Sequence, residues 1–193
     1  MHGRSFEDPD GHIWEVMWMD LAAAQGRHGA GQGGEAEPMA ALAPCVWIPG
    51  RAEEAAAFYL AAFQRAGQTA EIRGRMRMGA EGGPVAVTVV LAGQEVMLFN
   101  PPHEVAHSPG FALFLTCATQ AEVDALWDAL LEGGKPVQCG WLTDRYGISW
   151  QVVPGPVGDL LAKADPAQAA RLNKAIQGMV KIDLPTLQRA FEG

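Results

Sequence analysis

The sequence predicts an α+β fold made of two tandem βαβββ modules, finished by C-terminal helices. Three observations predict it. A strand, an amphipathic helix and three strands follow one another, and the same series then begins again. An Ala-Glu pair opens each helix, at Ala52-Glu53 and at Ala121-Glu122, a displacement of 69 positions. Finally, Asp8, Gly11, Trp14, Glu15 and Val16 align without gaps on Asp144, Gly147, Trp150, Gln151 and Val152. That offset is 136, close to twice 69.

The elements follow in order. FEDPDGHIWEVMWMD (Phe6 to Asp20) reads as a tight turn and then an apolar, Trp-rich strand, which is how a module ends. Residues 1–20 are therefore expected to be the remnant terminal hairpin of a preceding module, and a third, weaker reading makes the chain a truncated product of a larger fused protein. Residues 21–39 are rich in Gly and Ala with no apolar period, the pattern of a flexible linker. Its GAGQGG run does not leave a strand and enter a helix, as a phosphate-cradling loop must.

Residues 40–155 carry the complete domain. ALAPCVWI is a short buried strand, and Ala55, Phe58, Tyr59, Ala62 and Phe63 form the apolar stripe of the first helix. TAEIRGRMRM, PVAVTVVLA and QEVMLFN read as the next strands, separated by Gly82-Gly83-Pro84 and Ala92-Gly93. FALFLTC begins the second module. Thr119 and Glu122 predict a capping box, Val123, Leu126, Trp127, Leu130 and Leu131 a helical stripe, and Gly133-Gly134 its stop. PVQCGWLTD and ISWQVVP read as strands around a turn at Arg145-Tyr146-Gly147. Residues 156–193 predict a helical extension: Asp165, Pro166 and Gln168 start one helix with Leu172, Ile176 and Met179 on its apolar face. Asp183-Leu184-Pro185 starts another, with Leu187 and Phe191 inward.

Bulk properties exclude several classes. The formal charge of −8 argues against nucleic acid, which needs a concentrated basic face. Arg73, Arg75 and Arg77 alternate at strand spacing and read as a solvated edge, with a ligand-carboxylate role as the sharper alternative. No apolar run is long enough to cross a membrane, and Glu7, Asp8 and Asp10 interrupt any signal-like start. Cys45, Cys117 and Cys139 show neither disulfide nor zinc spacing, so a cytoplasmic protein with reduced thiols is expected.

AEEAAAFY in the first helix, GWLTDRYGISWQVVP and KIDLPTLQRAF resemble the PhnB-like group of the vicinal-oxygen-chelate (glyoxalase/bleomycin resistance) superfamily. That group is often labelled 3-demethylubiquinone-9 3-methyltransferase. The resemblance covers about Ala40 to the C-terminus, while residues 6–20 are similar to the closing segment of a glyoxalase-like module. It implies two modules whose sheets curl around one cavity. It further implies a divalent metal held by a first-strand His and a last-strand Glu, which polarises vicinal oxygens of a substrate. In this sequence those positions fall near Pro44, which has no side-chain donor, and on Gln151, a neutral amide. The methyltransferase label finds no doubly wound sheet with a glycine-rich first loop in the sequence.

The expectation is therefore a metal-independent small-molecule binder with no cofactor, acting as a homodimer and engaging neither nucleic acid nor membrane. Strand alternation turns Ser149 and Gln151 toward the cavity and Ile148, Trp150 and Val152 toward the helices, with Trp47, Phe99 and Phe114 as aromatic walls. The alternative is a metal-dependent lyase or isomerase of the glyoxalase type acting on a small oxygenated substrate. Glu15, with His12 three residues earlier, would then be its candidate metal ligand. His103 and His107 read as exposed loop residues, Asp144 as a turn cap before it is a general base, and Cys139 as a small buried hydrophobe.

Overall fold

The computed structural model describes residues 2–7, 13–18, 42–78 and 83–193, the first two segments as backbone. They fall into two units, Met1–Ala41 and Leu42–Gly193. In the first unit β1 (His2–Glu7) and β2 (Ile13–Trp18) pair antiparallel as a hairpin. The expected linker at 21–39 and the ligand partner His12 lie outside the described residues.

The second unit holds two mixed sheets with one topology. In the first module β3 (Cys45–Trp47) leads into α1 (Ala52–Arg65). Three strands follow: β4 (Ala70–Met76), β5 (Ala86–Leu91) and β6 (Gln94–Phe99). The sheet order is β3-β6-β5-β4, with β3 parallel to β6 and the other pairs antiparallel. The second module comprises β7 (Ala112–Cys117), α2 (Gln120–Leu130), β8 (Lys135–Pro136), β9 (Trp141–Thr143) and β10 (Ser149–Pro154). Its order, β7-β10-β9-β8, repeats the first, again with the opening strand parallel to the last. This is the two-module α+β architecture expected.

Local chemistry explains the helices. α1 buries Ala52, Ala55, Ala56, Tyr59, Ala62 and Phe63; the small residues let it lie close against its sheet, and Phe58 is only half-buried. Thr119 caps α2 by accepting from the Glu122 amide at 3.2 Å. The Glu122 carboxylate reaches back to the Ala118 amide at 2.7 Å, one residue before the cap that the expected capping box would have it serve. Gly133 then ends the segment at φ +74°, a conformation glycine adopts without a Cβ penalty.

One strand differs from expectation. PVQCGWLTD is interrupted: β8 and β9 are joined by a tight turn in which the Val137 amide bonds the Trp141 carbonyl at 2.7 Å. Cys139 at φ +61° and Gly140 at φ +79° reverse the chain there. The reason is tertiary. The Cys139 and Gly140 amides bond the Met179 and Val180 carbonyls, each at 2.8 Å, and Gly140 lies so close to Val152 and Ile182 that a Cβ would meet both under 3 Å.

That contact seats the extension, α3 (Pro156–Lys163), α4 (Pro166–Gln177) and α5 (Leu184–Glu192). The capping box of α4 forms in both directions, with the Gln168 amide donating to Asp165 and the Asp165 amide to Gln168. Val157, Leu172, Ile182 and Leu187 make a small second core, with Val153 of β10 packed against it. Gln120 on α2 ties the segment down by donating to the Ile182 carbonyl at 3.0 Å and accepting from the Leu184 amide at 2.8 Å.

The main core draws on both modules, and Asp144 organises their junction. It is buried, only 4% exposed. One carboxylate oxygen accepts from the Tyr146 and Ile148 amides at 2.8 and 3.0 Å, closing the turn into β10. The other accepts from Tyr59 Oη at 2.7 Å and Trp150 Nε1 at 2.8 Å. Gly147 completes the turn at φ +84°. In the second copy of the sequence motif the Asp, Gly and Trp thus have one explanation: Asp144 ties its own turn to Trp150.

Losing that carboxylate strands three buried donors, Tyr59, Trp150 and the Ile148 amide, at about 1 kcal/mol or more each, so Asp144→Ala is expected to destabilise by roughly 3–5 kcal/mol. The urea midpoint should fall with an unchanged slope. Burial first, then the charge and hydrogen bond of Asp144, raise the Tyr59 hydroxyl well above its ordinary value of 10.0. An unfolded chain releases that proton first. Tyr59 therefore supports the fold fully below about pH 10 and loses that contribution as pH climbs beyond it. Tyr59→Phe should flatten the loss of stability between neutral and strongly alkaline pH, read from urea midpoints across that range.

Candidate functional site

Strand alternation sorts the site residues by sheet face. Val46 and Leu98 point into the core, so their neighbours Trp47 and Phe99, paired in register on β3 and β6, stand on the opposite, open face of the first sheet. Their rings lie 5.6 Å apart and tilted, and exposed His103 sets its ring edge-on to Trp47 at 5.7 Å. In the second sheet Trp150 and Val152 are core, which puts Ser149 and Gln151 on its open face, with Phe114 beside Gln151 in register.

These candidates form two groups, one per sheet. Trp47 and Phe99 are half-buried, whereas Phe114 is 63% exposed, a large apolar ring left in water. Ser149 is nearly enclosed at 9%. Gln151 directs Nε2 toward the Cys139 carbonyl at 3.5 Å, which leaves its amide oxygen as an acceptor. Phe114 and Trp150 also line a groove of about 230 Å³ beside β7, with Phe63, Val96, Leu113 and Leu115. That volume is below the roughly 300–1,000 Å³ of a pocket for a drug-sized ligand. Its far wall is the β5–β6 turn, at Ala92 and Gln94.

The residues do not fit a resident metal of the implied kind. The Pro44 carbonyl is taken by the Met97 amide at 2.9 Å, and Gln151 brings no charge. No cluster of three His, Cys, Asp or Glu side chains suited to an ion occurs among the described residues. Glu15 lies in β2, its backbone opposite Ser5. Asp144 is the turn cap expected, and its four bonds leave it no room to take a substrate proton.

His103 is exposed as expected, but His107 is half-buried, with Nε2 enclosed and without a hydrogen-bond partner. Its ring sits over Gly147, where a Cβ would lie 3.5 Å from Cδ2. Only the fold reveals this, because the crossover that carries His107 reads as loop. Arg75 pairs with Glu53 at 2.7 Å, and Arg73 with Glu95 and Glu71 at 3.3 and 3.5 Å, so both cations have carboxylate partners.

A second aromatic cluster escaped the sequence reading. Arg51 lies over the Tyr146 ring at 4.7 Å and Arg145 over the Phe58 ring at 4.4 Å, and Tyr146 Oη donates to Glu54 at 3.1 Å. Burial and then the Glu54 bond push the Tyr146 hydroxyl up to about 12. Its ring contact with Tyr59, at 5.9 Å, joins this cluster to the Asp144 junction, so it braces α1 against the turn. Spacing alone could not show it, since Arg51 and Tyr146 meet only through the fold.

A family profile described as 3-demethylubiquinone-9 3-methyltransferase matches residues 40–153. Among solved structures, the chain is 30% identical to the "3-demethylubiquinone-9 3-methyltransferase, PhnB protein" of Bacillus cereus, over 59% of this chain and 98% of that one, with a TM-score of 0.52. Protein PA1353 of Pseudomonas aeruginosa is 23% identical over 58% of this chain and 96% of its own, at a TM-score of 0.47. A glyoxalase/bleomycin resistance protein of Albidiferax ferrireducens is 16% identical over 58% and 95%, at 0.43. No curated protein matches the chain significantly.

The three thiols should separate by reactivity. Cys45 is exposed on the open face, Cys139 is half-buried in the turn, and Cys117 is buried, its thiol pushed up to about 11 by burial and then by Glu122. Alkylation of the folded protein near pH 8, followed by mass spectrometry, should label Cys45 first and Cys117 last.

Proposed function

The chain belongs to the 3-demethylubiquinone-9 3-methyltransferase (PhnB-like) family, and from that premise we propose that it binds a small molecule without a resident metal. The observation that carries this reading is the pair of open sheet faces. Each presents aromatic surface beside a few hydrogen-bonding groups, the composition of a small-molecule site. Trp47 and Phe99 supply the aromatic surface on one sheet. Phe114, Ser149 and the free amide oxygen of Gln151 supply a ring, a hydroxyl and an acceptor on the other. The methyltransferase in the family's name has little support from these residues: the described sheets are βαβββ, unlike the doubly wound sheet with a glycine-rich first loop that serves a nucleotide-like donor.

Two copies are expected to pair, so that a second chain shelters the exposed Phe114 and supplies a wall that the shallow groove lacks. We place the protein in the cytoplasm, on three cysteines whose spacing in sequence suits neither a disulfide framework nor a zinc site. No helix among the described residues is long and apolar enough to cross a membrane.

Titration of the chelator-treated protein with 1-anilinonaphthalene-8-sulfonate, a planar aromatic anion, tests the reading through dye fluorescence. Saturable binding is expected, weakened about 5- to 30-fold by Phe99→Ala or Phe114→Ala, the equivalent of about 1–2 kcal/mol. Sedimentation should show a dimer that Phe114→Glu shifts toward monomer. Binding indifferent to both alanine variants overturns the proposal. Tight stoichiometric retention of zinc, nickel or manganese, lost in Glu15→Ala, would instead favour the metal-dependent lyase or isomerase.

A further inference from the structure

The open face of the second sheet extends past β10 onto β9 and β8. Leu142 of β9 is core, 1% exposed, and pairs with core Trp150. Alternation therefore turns its neighbours Trp141 and Thr143 the other way, onto the face of Ser149 and Gln151. Lys135 of β8 stands opposite Thr143, and residues directly opposite in an antiparallel pair share a face. Gly134 makes that seat possible, since a Cβ there would run into the Thr143 carbonyl.

Register then sorts these side chains into two rows across the sheet. Lys135, Thr143, Ser149 and Ala112 form one: an ammonium, two hydroxyls and a methyl. Trp141, Gln151 and Phe114 form the other, an amide between two aromatic rings. The rows lie two residues apart along the strands, about 6–7 Å.

Each row has its own chemistry. Among the described residues no hydrogen bond engages the Thr143 or Ser149 hydroxyl, and Lys135 makes no ion pair, whereas Arg73, Arg75 and Arg145 each have a carboxylate. The four strands of this sheet contain no Asp or Glu. The first row is thus a cation beside two donors with no anion of its own, which a carboxylate complements. The two ends of the face differ as well. Val153, next after Gln151 on this face, packs against the C-terminal helices, so the aromatic row abuts an apolar wall. Lys135, at the other end, is exposed to water.

We propose that this face recognises a planar aromatic carboxylate, with the carboxylate on Lys135, Thr143 and Ser149 and the ring between Trp141 and Phe114. The assignment rests on the small-molecule reading above and gives it a ligand class. Ring and carboxylate would be joined by a short link of about two carbons, the length that the row spacing sets. Trp141, Thr143 and Lys135 become specificity residues: the first selects for a flat ring and the other two for negative charge.

Titration of the chelator-treated full chain with trans-cinnamate, followed by ligand NMR, tests this, with cinnamamide as the uncharged twin. Cinnamate should bind saturably and cinnamamide about tenfold more weakly. Lys135→Gln should weaken cinnamate about fivefold and leave cinnamamide unchanged. Trp141→Leu should weaken both probes about fivefold. Lys163→Gln, which removes an exposed cation from α3, should change neither. Equal affinity for the two probes overturns the proposal, as does an equal loss of cinnamate binding in the Lys135 and Lys163 variants. Absent cinnamate binding in a protein that still binds 1-anilinonaphthalene-8-sulfonate through Phe114 overturns this ligand class and leaves the small-molecule reading standing. Failure of both ligands removes both.

Discussion

A single buried carboxylate holds the two modules in register with one another. Asp144 closes the turn into the last strand, fixes Trp150 through its indole, and takes the hydroxyl of Tyr59 from the helix of the other module. A carboxylate in this position must be fully bonded, because an unsatisfied charge in the core would cost more than the fold can spare. Its four donors meet that condition. They also explain why the Trp150 and Tyr59 rings meet at 5.5 Å, with Phe63 tilted against Trp150 at 6.1 Å. The polar centre and the aromatic core are one structure.

The organisation of the rest follows. With β10 pinned by its tryptophan, alternation turns Ser149 and Gln151 to the open face, while Val152 joins the core. The opposite end of β10 is held by the C-terminal helices, through Val153 and the turn at Cys139 and Gly140. The last strand is thereby fixed at both ends, which gives the open face of its sheet a rigid base. Polar groups on such a base lose little freedom when they meet a ligand, so even a few can orient one.

Much of this architecture was legible in the sequence because it rests on local rules. Helical stripes such as Val123, Leu126, Trp127 and Leu130, the α4 capping box at Asp165 and Gln168, and the Asp144 turn each depend on residues a few positions apart. The split of PVQCGWLTD was not legible. A strand-like composition was overridden where the backbone turns to bond a segment some forty positions downstream. The enclosed ring of His107 and the cations stacked on Tyr146 and Phe58 are of the same kind, contacts that no spacing announces.

The site divides along the same line. Which side chains share a face is a consequence of the two-residue period of a strand, so the sequence by itself determined that Ser149 and Gln151 stand apart from Trp150, and that two βαβββ modules repeat. It also determined that Pro44 and Gln151 stand where the resemblance calls for charged or imidazole ligands. Only the tertiary structure decided that Trp47 and Phe99 occupy one sheet while Phe114, Ser149 and Gln151 occupy another. Likewise, only the tertiary structure joined Tyr59 to Asp144 across 85 positions of chain. Periodicity assigns a side chain to a face; where two faces lie is settled by long-range packing, which has no local signature.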